Sequence, residues 1–352
     1  MDHPIRFGIM GCGLAAGFHA AAIGRVENAV LTGVFDVSFE RTQTFAHTFG
    51  CTAYHGLAAF AESPEIDAVC ICTPSGYHAE NAAVLMNSGK NLLIEKPLAV
   101  NTAQGRSILR AAAENGRTVG VVSQLRCCPD VQKLKNIIAL GTLGRIVSVQ
   151  LSMLYHRNEA YYRDSAWHGT LAVDGGGALI NQGIHGVDLL LYLIGRVKRV
   201  SAASATLRHS IEAEDTLAAL LEFDNGCLGT LNAATSVSPG QPRTLTVCGT
   251  KGSAVLTEDR LTSLVTEKNG VLIGGEESTA YLSHSDPGAI PPEAHENVLR
   301  DFCEALRSGR RPVSDAADGY NALSLITAAY KAVENGPQQP EYIGHNELGV
   351  RS

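Results

Sequence analysis

The stretch RFGIMGCGLAAG, residues 6–17, passes from an apolar run directly into glycines and then into a helical pattern. Residues 6–10 predict a short buried strand, and Gly11 and Gly13 follow it at once. A third small residue, Ala16 or Gly17, falls in the first turn of the predicted helix. A glycine turn between a strand and a helix is typical of the first unit of a doubly wound α/β sheet.

An acidic residue, Asp36, ends the second predicted strand. Glycines in the preceding turn let a backbone approach a pyrophosphate, the helix N-terminus offers free N–H groups, and the acid accepts hydrogen bonds from ribose hydroxyls. The combination predicts a dinucleotide site. Because a carboxylate repels a 2′-phosphate, Asp36 favours NAD, while the nearby Ser38 and Arg41 leave NADP possible.

The first part of the chain continues to alternate apolar runs with helical patterns. Further strands are predicted at 29–35, 68–72, 91–94 and 118–122. Continuous apolar strands separated by helices indicate a parallel sheet covered on both faces. We therefore predict an N-terminal Rossmann domain over residues 1–125.

The pattern changes after residue 125, where alternating strands joined by short turns predominate. They are predicted at 146–154, 199–207, 215–223, 227–233, 243–248 and 253–256. Alternation is typical of a largely antiparallel sheet with one face open. We predict an α+β domain over 126–352 for substrate binding and oligomerisation, with a surface loop at 274–292 and C-terminal helices free to pack back on the first domain.

Composition excludes several classes of function. The 352 residues carry a formal charge of −7, whereas nucleic-acid binding normally shows a basic excess. No apolar run reaches membrane-spanning length, and the first residues do not resemble a signal peptide. The nine cysteines follow no CxxC spacing, so we expect reduced thiols, no metal site and a cytoplasmic location.

A second notable stretch, LLIEKPLAV, spans residues 92–100. Glu95 and Lys96 directly follow a strand expected to be buried, where charge is costly unless it has a partner or a function. One interpretation is that Glu95 and Lys96 are ordinary polar residues at the end of a strand. The other is a functional lysine at the carboxyl edge of a parallel sheet, where such sheets bind ligands.

A third stretch, DGGGALINQGIHGVD, spans residues 174–188 and begins a helical pattern. At 100° per residue, Asn181, His185 and Asp188 form a polar stripe that borders an apolar one. A histidine there is either a buried structural residue or a group that exchanges protons near neutral pH.

The segment before this motif is rich in aromatic and basic residues. Aromatic faces suit a polyhydroxylated ring, and an arginine suits a carboxylate or phosphate; an interface or surface loop is equally consistent with the pattern. The candidates for substrate contact are Tyr155, Arg157, Arg163 and Trp167.

Together these motifs resemble the Gfo/Idh/MocA oxidoreductases. The resemblance runs from Arg6 to about Tyr330 and includes, in order, Gly11-x-Gly13, Asp36, Thr73-Pro74 with His78, Glu95-Lys96-Pro97, Gly175-Gly176-Gly177 and His185-x-x-Asp188. The family implies a Rossmann domain, a C-terminal domain with an open sheet, NAD or NADP, and hydride transfer at a hydroxyl of a sugar, sugar derivative or cyclitol. A homodimer or homotetramer is implied as well.

The resemblance also implies roles for individual residues. Lys96 would contact the reacting oxygen, and His185 would be the acid or base. Asn181, His185, Asp188 and Lys96 would contact the substrate. The cofactor-binding residues would be Gly11, Gly13, Leu14, Ala15, Asp36, Thr73, Pro74, His78, Glu95, Lys96 and Gln124.

One position departs from the family pattern. Inositol-dehydrogenase-like members carry an aspartate four residues before the histidine, and this chain has Asn181. An amide cannot accept the proton, so His185 works alone, Asp188 orients its ring, or Lys96 is the main base. Alternative functions are an NAD-dependent glycosidase or lyase with transient ring oxidation, and a non-catalytic dinucleotide sensor.

Overall fold

The computed structural model describes residues 3–267, 270–271, 292–336 and 339–344. The predicted loop at 274–292 lies, apart from its last residue, outside the described residues. The chain divides into two compact units. The first comprises Met1–Gln124 and Pro291–Tyr320, and the second comprises Leu125–Ile290 and Asn321–Ser352.

Strands and helices alternate over the first part of the chain, and strands predominate in its middle part. The strands are β1 (Ile5–Met10), β2 (Ala29–Phe35), β3 (Thr52–Ala53), β4 (Ala68–Ile71), β5 (Asn91–Ile94), β6 (Val119–Val121), β7 (Ile146–Leu154), β8 (Val197–Ala205), β9 (Thr216–Phe223), β10 (Leu228–Ala234), β11 (Thr244–Gly249), β12 (Gly252–Thr257), β13 (Arg260–Thr266), β14 (Gly270–Val271) and β15 (Glu341–Tyr342). The α-helices are α1 (Leu14–Ile23), α2 (Phe39–Phe49), α3 (Leu57–Ala61), α4 (His78–Asn87), α5 (Thr102–Asn115), α6 (Pro129–Ala139), α7 (Glu159–Arg163), α8 (Ile184–Ile194), α9 (Pro292–Ser308) and α10 (Ala316–Asn335).

The first unit contains a six-stranded parallel sheet in the order β3-β2-β1-β4-β5-β6. Its strands are apolar throughout because both faces are covered; β4 is buried at every position. Strand β1 has β2 on one side and β4 on the other, so the strand order reverses there. The carboxyl ends on either side of such a reversal form the crevice where these sheets bind ligands. The predicted doubly wound fold is confirmed.

Helix α9 completes the first unit from the far end of the chain. Its Phe302 lies against Phe7 of β1, with ring centroids 6.4 Å apart. A Cβ on Gly120 of β6 would lie 2.9 Å from the Phe302 ring, so glycine at this position lets the helix pack closely.

The second unit contains a nine-stranded sheet in the order β14-β13-β12-β11-β7-β10-β9-β8-β15. Strand β10 pairs with β7 in parallel, and the other described ladders are antiparallel. In β9, Leu217 and Leu221 are buried, whereas Leu220 is 64% exposed. This alternation gives one packed face and one exposed face, and it confirms the predicted open, largely antiparallel sheet.

All nine cysteines lie in the described part of the chain and are thiols. Among the described helices, none has the length and hydropathy needed to cross a bilayer.

Candidate active site

The turn between β1 and α1 has the backbone geometry that the glycine motif predicts. Gly11 has φ +91°, and a Cβ there would lie 2.8 Å from the carbonyl oxygen of Cys72, so a side chain is excluded twice. Gly13 precedes α1, and a Cβ on it would meet no atom within 4 Å. The first helical residues are Leu14 and Ala15. The turn therefore leaves open space beside a helix N-terminus, which fits a pyrophosphate.

The carboxylate at the end of β2 is held in place by three donors. Asp36 Oδ2 accepts from the Cys12 backbone N–H at 2.9 Å, and its Oδ1 accepts from the Ser38 N–H at 2.8 Å. Arg41 Nη2 donates to Oδ1 at 2.7 Å from a side chain that is 59% exposed. Asp36 thus ties the glycine turn to β2. Arg41 is several residues away in the sequence, and the fold brings it into an ion pair.

A buried histidine joins the loops that follow β4 and β5. The Nε2 of His78 lies 2.9 Å from the Thr73 carbonyl oxygen, and its Nδ1 lies 2.9 Å from the Pro97 carbonyl oxygen. Asn81 Nδ2 donates to Thr73 Oγ1 at 3.0 Å. Burial lowers the pKa of His78 even though both carbonyl contacts favour the charged ring. With 1% of its surface exposed, His78 fixes the loop carrying Thr73 and Pro74.

Glu95 and Lys96 follow β5, and both are half-buried. The Lys96–Pro97 peptide bond is cis. The Lys96 backbone N–H donates to Glu95 Oε2 at 3.2 Å, while Glu95 Oε1 accepts from His19 Nε2 at 2.8 Å. Gln124, buried at 8% exposure, opens the 3₁₀ turn after β6. The strand ends on this side of the reversal thus carry an acid, an amine and an amide.

In the second unit, the glycine cluster packs against a buried carboxylate that the sequence did not single out. Glu214 accepts from the backbone N–H groups of Gly177 and Leu179, each at 2.9 Å, and from the Tyr330 hydroxyl at 3.1 Å. A Cβ on Gly177 would overlap the Glu214 carbonyl oxygen. Burial raises the pKa of Glu214. Glycine is required at position 177 because the chain folds directly against the residues that precede β9.

The next six residues, Ala178–Gly183, form a π-helix, and the α-helix α8 begins after them. Since a π-helix turns by less per residue than an α-helix, the predicted regular stripe over 181–188 is wrong. π-Helical turns are rare and are frequent at functional sites.

Asn181 lies in the π-helix at the centre of a buried network. Its Nδ2 donates to both oxygens of Asp174, at 2.7 and 2.9 Å. Its Oδ1 accepts from the Tyr161 hydroxyl at 3.2 Å and from Gln182 Nε2 at 2.6 Å. Asp174 is 1% exposed. A carboxylate is therefore present next to position 181, but it orients the amide.

Two members of the aromatic and basic segment are buried. Arg157 is 3% exposed and donates to the His156 carbonyl at 2.7 Å and to Gln182 Oε1 at 2.6 Å. Its guanidinium lies 5.8 Å from the centroid of the Tyr155 ring and 5.7 Å from that of Tyr161. Tyr155 is 6% exposed. Arg157 thus connects to Asn181 through Gln182.

The other two members differ in exposure. Arg163 is exposed and pairs with Asp164 at 2.9 Å. Trp167 is half-buried and packs edge-on against His168, with centroids 4.1 Å apart.

His185 is half-buried in the first turn of α8. Asp188, one turn later, accepts from Arg126 Nε at 2.9 Å and from Nη2 at 2.8 Å. The two side chains of this pair are only 4% and 5% exposed. The two oxygens of Asp188 belong to a bidentate ion pair, which is costly to break when buried, and this does not favour the prediction that Asp188 orients His185 or binds substrate.

The first unit is a doubly wound sheet with a glycine turn after β1, an acid after β2 and a lysine after β5. These features are typical of dinucleotide-binding enzymes. Residues 5–123 match the family model described as "Oxidoreductase family, NAD-binding Rossmann fold", and residues 131–255 match "GFO/IDH/MocA C-terminal domain". The chain belongs to the Gfo/Idh/MocA oxidoreductase family, and its cofactor is NAD(P).

Relatives cover nearly the full chain. Inositol 2-dehydrogenase of Rhizobium meliloti is 24% identical over 94% of this chain and 97% of its own length. D-glucoside 3-dehydrogenase of Escherichia coli is 24% identical over 95% and 96%. The crystal structure of the WlbA dehydrogenase from Bordetella pertussis, in complex with NADH and UDP-GlcNAcA, superposes with a TM-score of 0.86 at 28% identity, over 98% of this chain and 99% of that one.

Proposed function

We propose that the protein oxidises a secondary hydroxyl of a sugar, sugar derivative or cyclitol, reversibly, with NAD as the preferred cofactor. The observation that carries the proposal is the half-buried Lys96 at the carboxyl end of β5, on the opposite side of the strand reversal from Asp36. The relatives' names, which specify inositol and D-glucoside, support this substrate class. The bound nicotinamide would supply the hydride acceptor.

Two side chains carry the proposed chemistry. The Lys96 ammonium stabilises negative charge as it develops on the substrate oxygen. His185 exchanges the hydroxyl proton, because a neutral imidazole has a ring nitrogen that can accept one. Since Asn181 cannot take a proton, no carboxylate relay is proposed through that position.

Cofactor contacts are proposed along the strand ends of the first unit. Gly11, Gly13, Leu14 and Ala15 approach the pyrophosphate, and Asp36 accepts from the ribose. Thr73, Pro74, Glu95, Lys96 and Gln124 line the other half, while His78 supports their loops.

Substrate contacts are proposed for Asn181 and Trp167, with Tyr155 and Arg157 supporting them from within the buried network. Arg157 or Arg163 facing the substrate would favour an acidic or nucleotide-linked sugar, and the WlbA structure is a complex with NADH and UDP-GlcNAcA.

Replacing Lys96 tests the catalytic assignment. We expect Lys96→Ala to bind NADH as the wild type does but to lose turnover by at least about a hundredfold, since one preorganised electrostatic contact contributes that much. Binding is measured by fluorescence titration and turnover by NADH absorbance. Exposed Lys198→Ala is the control; unchanged turnover in Lys96→Ala would refute the role.

A panel of inositols, aldoses, uronates and nucleotide-linked sugars identifies the substrate. Net NADH formation with one of them supports a dehydrogenase. A changed sugar without net NADH indicates a glycosidase or lyase, and NADH binding without any product indicates a sensor.

We also propose that the protein forms a homo-oligomer and is located in the cytoplasm. The exposed apolar side chains of the second sheet support the first, and nine thiols support the second, because thiols persist in reducing compartments.

A further inference from the structure

A buried cluster of one carboxylate and two imidazoles is formed by Glu95, which directly follows β5, and by His19 of α1 and His295 of α9. Glu95 Oε1 is 2.8 Å from His19 Nε2 on α1 and 3.6 Å from His295 Nε2 on α9. The exposed fractions of the side chains are 12% for Glu95, 2% for His19 and 5% for His295. All three belong to the first unit.

Residues of these types also bind metals, so the two possibilities must be separated. Two ligands of one tetrahedral zinc, each about 2.1 Å from the ion, lie roughly 3.4 Å apart. The 2.8 Å between His19 and Glu95 is shorter than that and is an ordinary N–H···O distance. This geometry favours a hydrogen bond from His19 to the Glu95 carboxylate, with the His295 ring 3.6 Å away as a polar neighbour beyond hydrogen-bonding distance.

The charge of the cluster follows from its protonation states. Burial lowers the pKa of His19, so its ring is neutral at pH 7 and Nε2–H donates. Burial alone would raise the pKa of Glu95, but the hydrogen bond from His19 and the nearby His295 ring outweigh it and hold that pKa well below its usual range. Glu95 is therefore a fixed anion.

The location gives this anion a function. Asp36 ends β2 and marks the adenosine side of the sheet, so the nicotinamide belongs on the β4–β5 side of the reversal. Glu95 directly follows β5, and its Oε2 accepts from the Lys96 backbone N–H. An anion at this point attracts the cationic ring of NAD⁺ and not the neutral ring of NADH.

We propose that His19 and His295 are positioning residues that fix the Glu95 carboxylate on the nicotinamide side of the sheet, and that this carboxylate raises the affinity for NAD⁺ relative to NADH. The inference rests on the proposed cofactor placement. His295 comes from a helix near the C-terminus, so a distant part of the chain sets a property of the cofactor site.

The test measures dissociation constants for NAD⁺ and NADH by calorimetry in the full-length protein. Glu95→Gln should lower the preference for NAD⁺ roughly tenfold, since it removes one charge at close range. His295→Ala should lower it about threefold, since the carboxylate loses the polar ring that lies 3.6 Å from its Oε1. His295→Gln keeps a polar N–H group beside the carboxylate and should retain most of the preference for NAD⁺. His47, exposed on α2, supplies the control His47→Ala, with no change expected.

The outcomes separate the two proposals. A folded Glu95→Gln and a folded His295→Ala with the wild-type preference would overturn this inference and leave the cofactor site intact. Wild-type protein that binds neither NAD⁺ nor NADH would overturn both. Stoichiometric metal in purified wild type that is absent from His295→Ala would replace the hydrogen-bonded cluster with a metal site. Circular dichroism confirms folding, and His295→Gln keeps the test informative if His295→Ala unfolds.

Discussion

Asn181 stands where inositol-dehydrogenase-like members of the family carry an aspartate, and its hydrogen bonds fix the orientation of its amide. Its Nδ2 faces both oxygens of Asp174 while its Oδ1 accepts two further hydrogen bonds. The carboxylate that an aspartate at position 181 would supply is thus supplied by the neighbouring buried side chain of Asp174. The amide and the carboxylate form a complementary pair, which makes their exchange informative.

Asn181→Asp should destabilise the protein by about 3 kcal/mol, because two buried carboxylates would then lie within hydrogen-bonding distance. The double exchange Asp174→Asn with Asn181→Asp restores one amide and one carboxylate and should recover most of that loss. Urea denaturation of the two variants and the wild type measures this. Equal stability of the single variant and the wild type would contradict the contact.

Asp36 should determine the cofactor preference. Asp36→Asn removes the repulsion of a 2′-phosphate and leaves Arg41 available to it, so the preference for NADH over NADPH should fall about tenfold. Arg41→Ala, which removes the cation and keeps the acid, should move the preference the other way. Fluorescence titration with both cofactors checks the pair, and wild-type protein that binds NADPH more tightly would contradict the assignment.

At the residue scale, the sequence motifs indicate site residues that directly follow a predicted strand. They do not indicate residues that lie near the site only because distant segments pack together. Gly11, Asp36 and Lys96 follow buried strands, where local pattern is informative. Glu214 and His295 carry no local signal. Glu214 contacts Gly177 and Leu179, and His295 lies near Glu95, only because distant segments of the chain pack together.

The β1–α1 turn shows how one element combines structural and functional constraints. Gly11 and Gly13 look equivalent in sequence but not in structure. At Gly11 a side chain meets backbone, and at Gly13 it meets open space.

Gly11→Ala should therefore destabilise the fold by about 2 kcal/mol or more, through a positive φ and a backbone contact. Gly13→Ala should leave the melting temperature nearly unchanged and weaken NADH binding, because its Cβ points into the space proposed for the pyrophosphate. Thermal melts and titrations on both variants separate the effects. Normal binding by Gly13→Ala would contradict that placement of the pyrophosphate.

At the element scale, prediction succeeded where burial is continuous or strictly alternating. Strands Asn91–Ile94 and Ile146–Leu154 were predicted with their observed bounds. No strand was predicted at Arg260–Thr266, where polar residues interrupt the pattern. The parallel pairing of β10 with β7 and the π-helix Ala178–Gly183 depend on contacts between distant segments, and neither leaves a periodic signal.

At the scale of the whole molecule, the described part of the second sheet has one face that carries exposed apolar side chains. Leu220 on β9 and Leu228 on β10 are 64% and 62% exposed on neighbouring strands. Exposed apolar side chains grouped on a regular sheet are typical of interfaces between copies of a chain.

Leu220→Lys should convert the proposed oligomer to monomers, because a charge cannot be buried in that interface without a partner. Light scattering after gel filtration gives the mass, and circular dichroism checks the fold. Leu207→Lys, which changes a similarly exposed apolar residue outside the strands, is the control. A monomeric wild type, or an unchanged mass for Leu220→Lys, would contradict the interface.

The late position of α9 has a consequence for biosynthesis. The first six strands leave the ribosome early, yet the helix that covers Phe7 and fits against Gly120 is translated only after all of β7–β14. Nascent domains generally fold as units, beginning with the N-terminal one during synthesis. We therefore expect the first unit to keep part of its apolar surface uncovered until α9 has been translated, and a chain truncated before α9 to depend on chaperones.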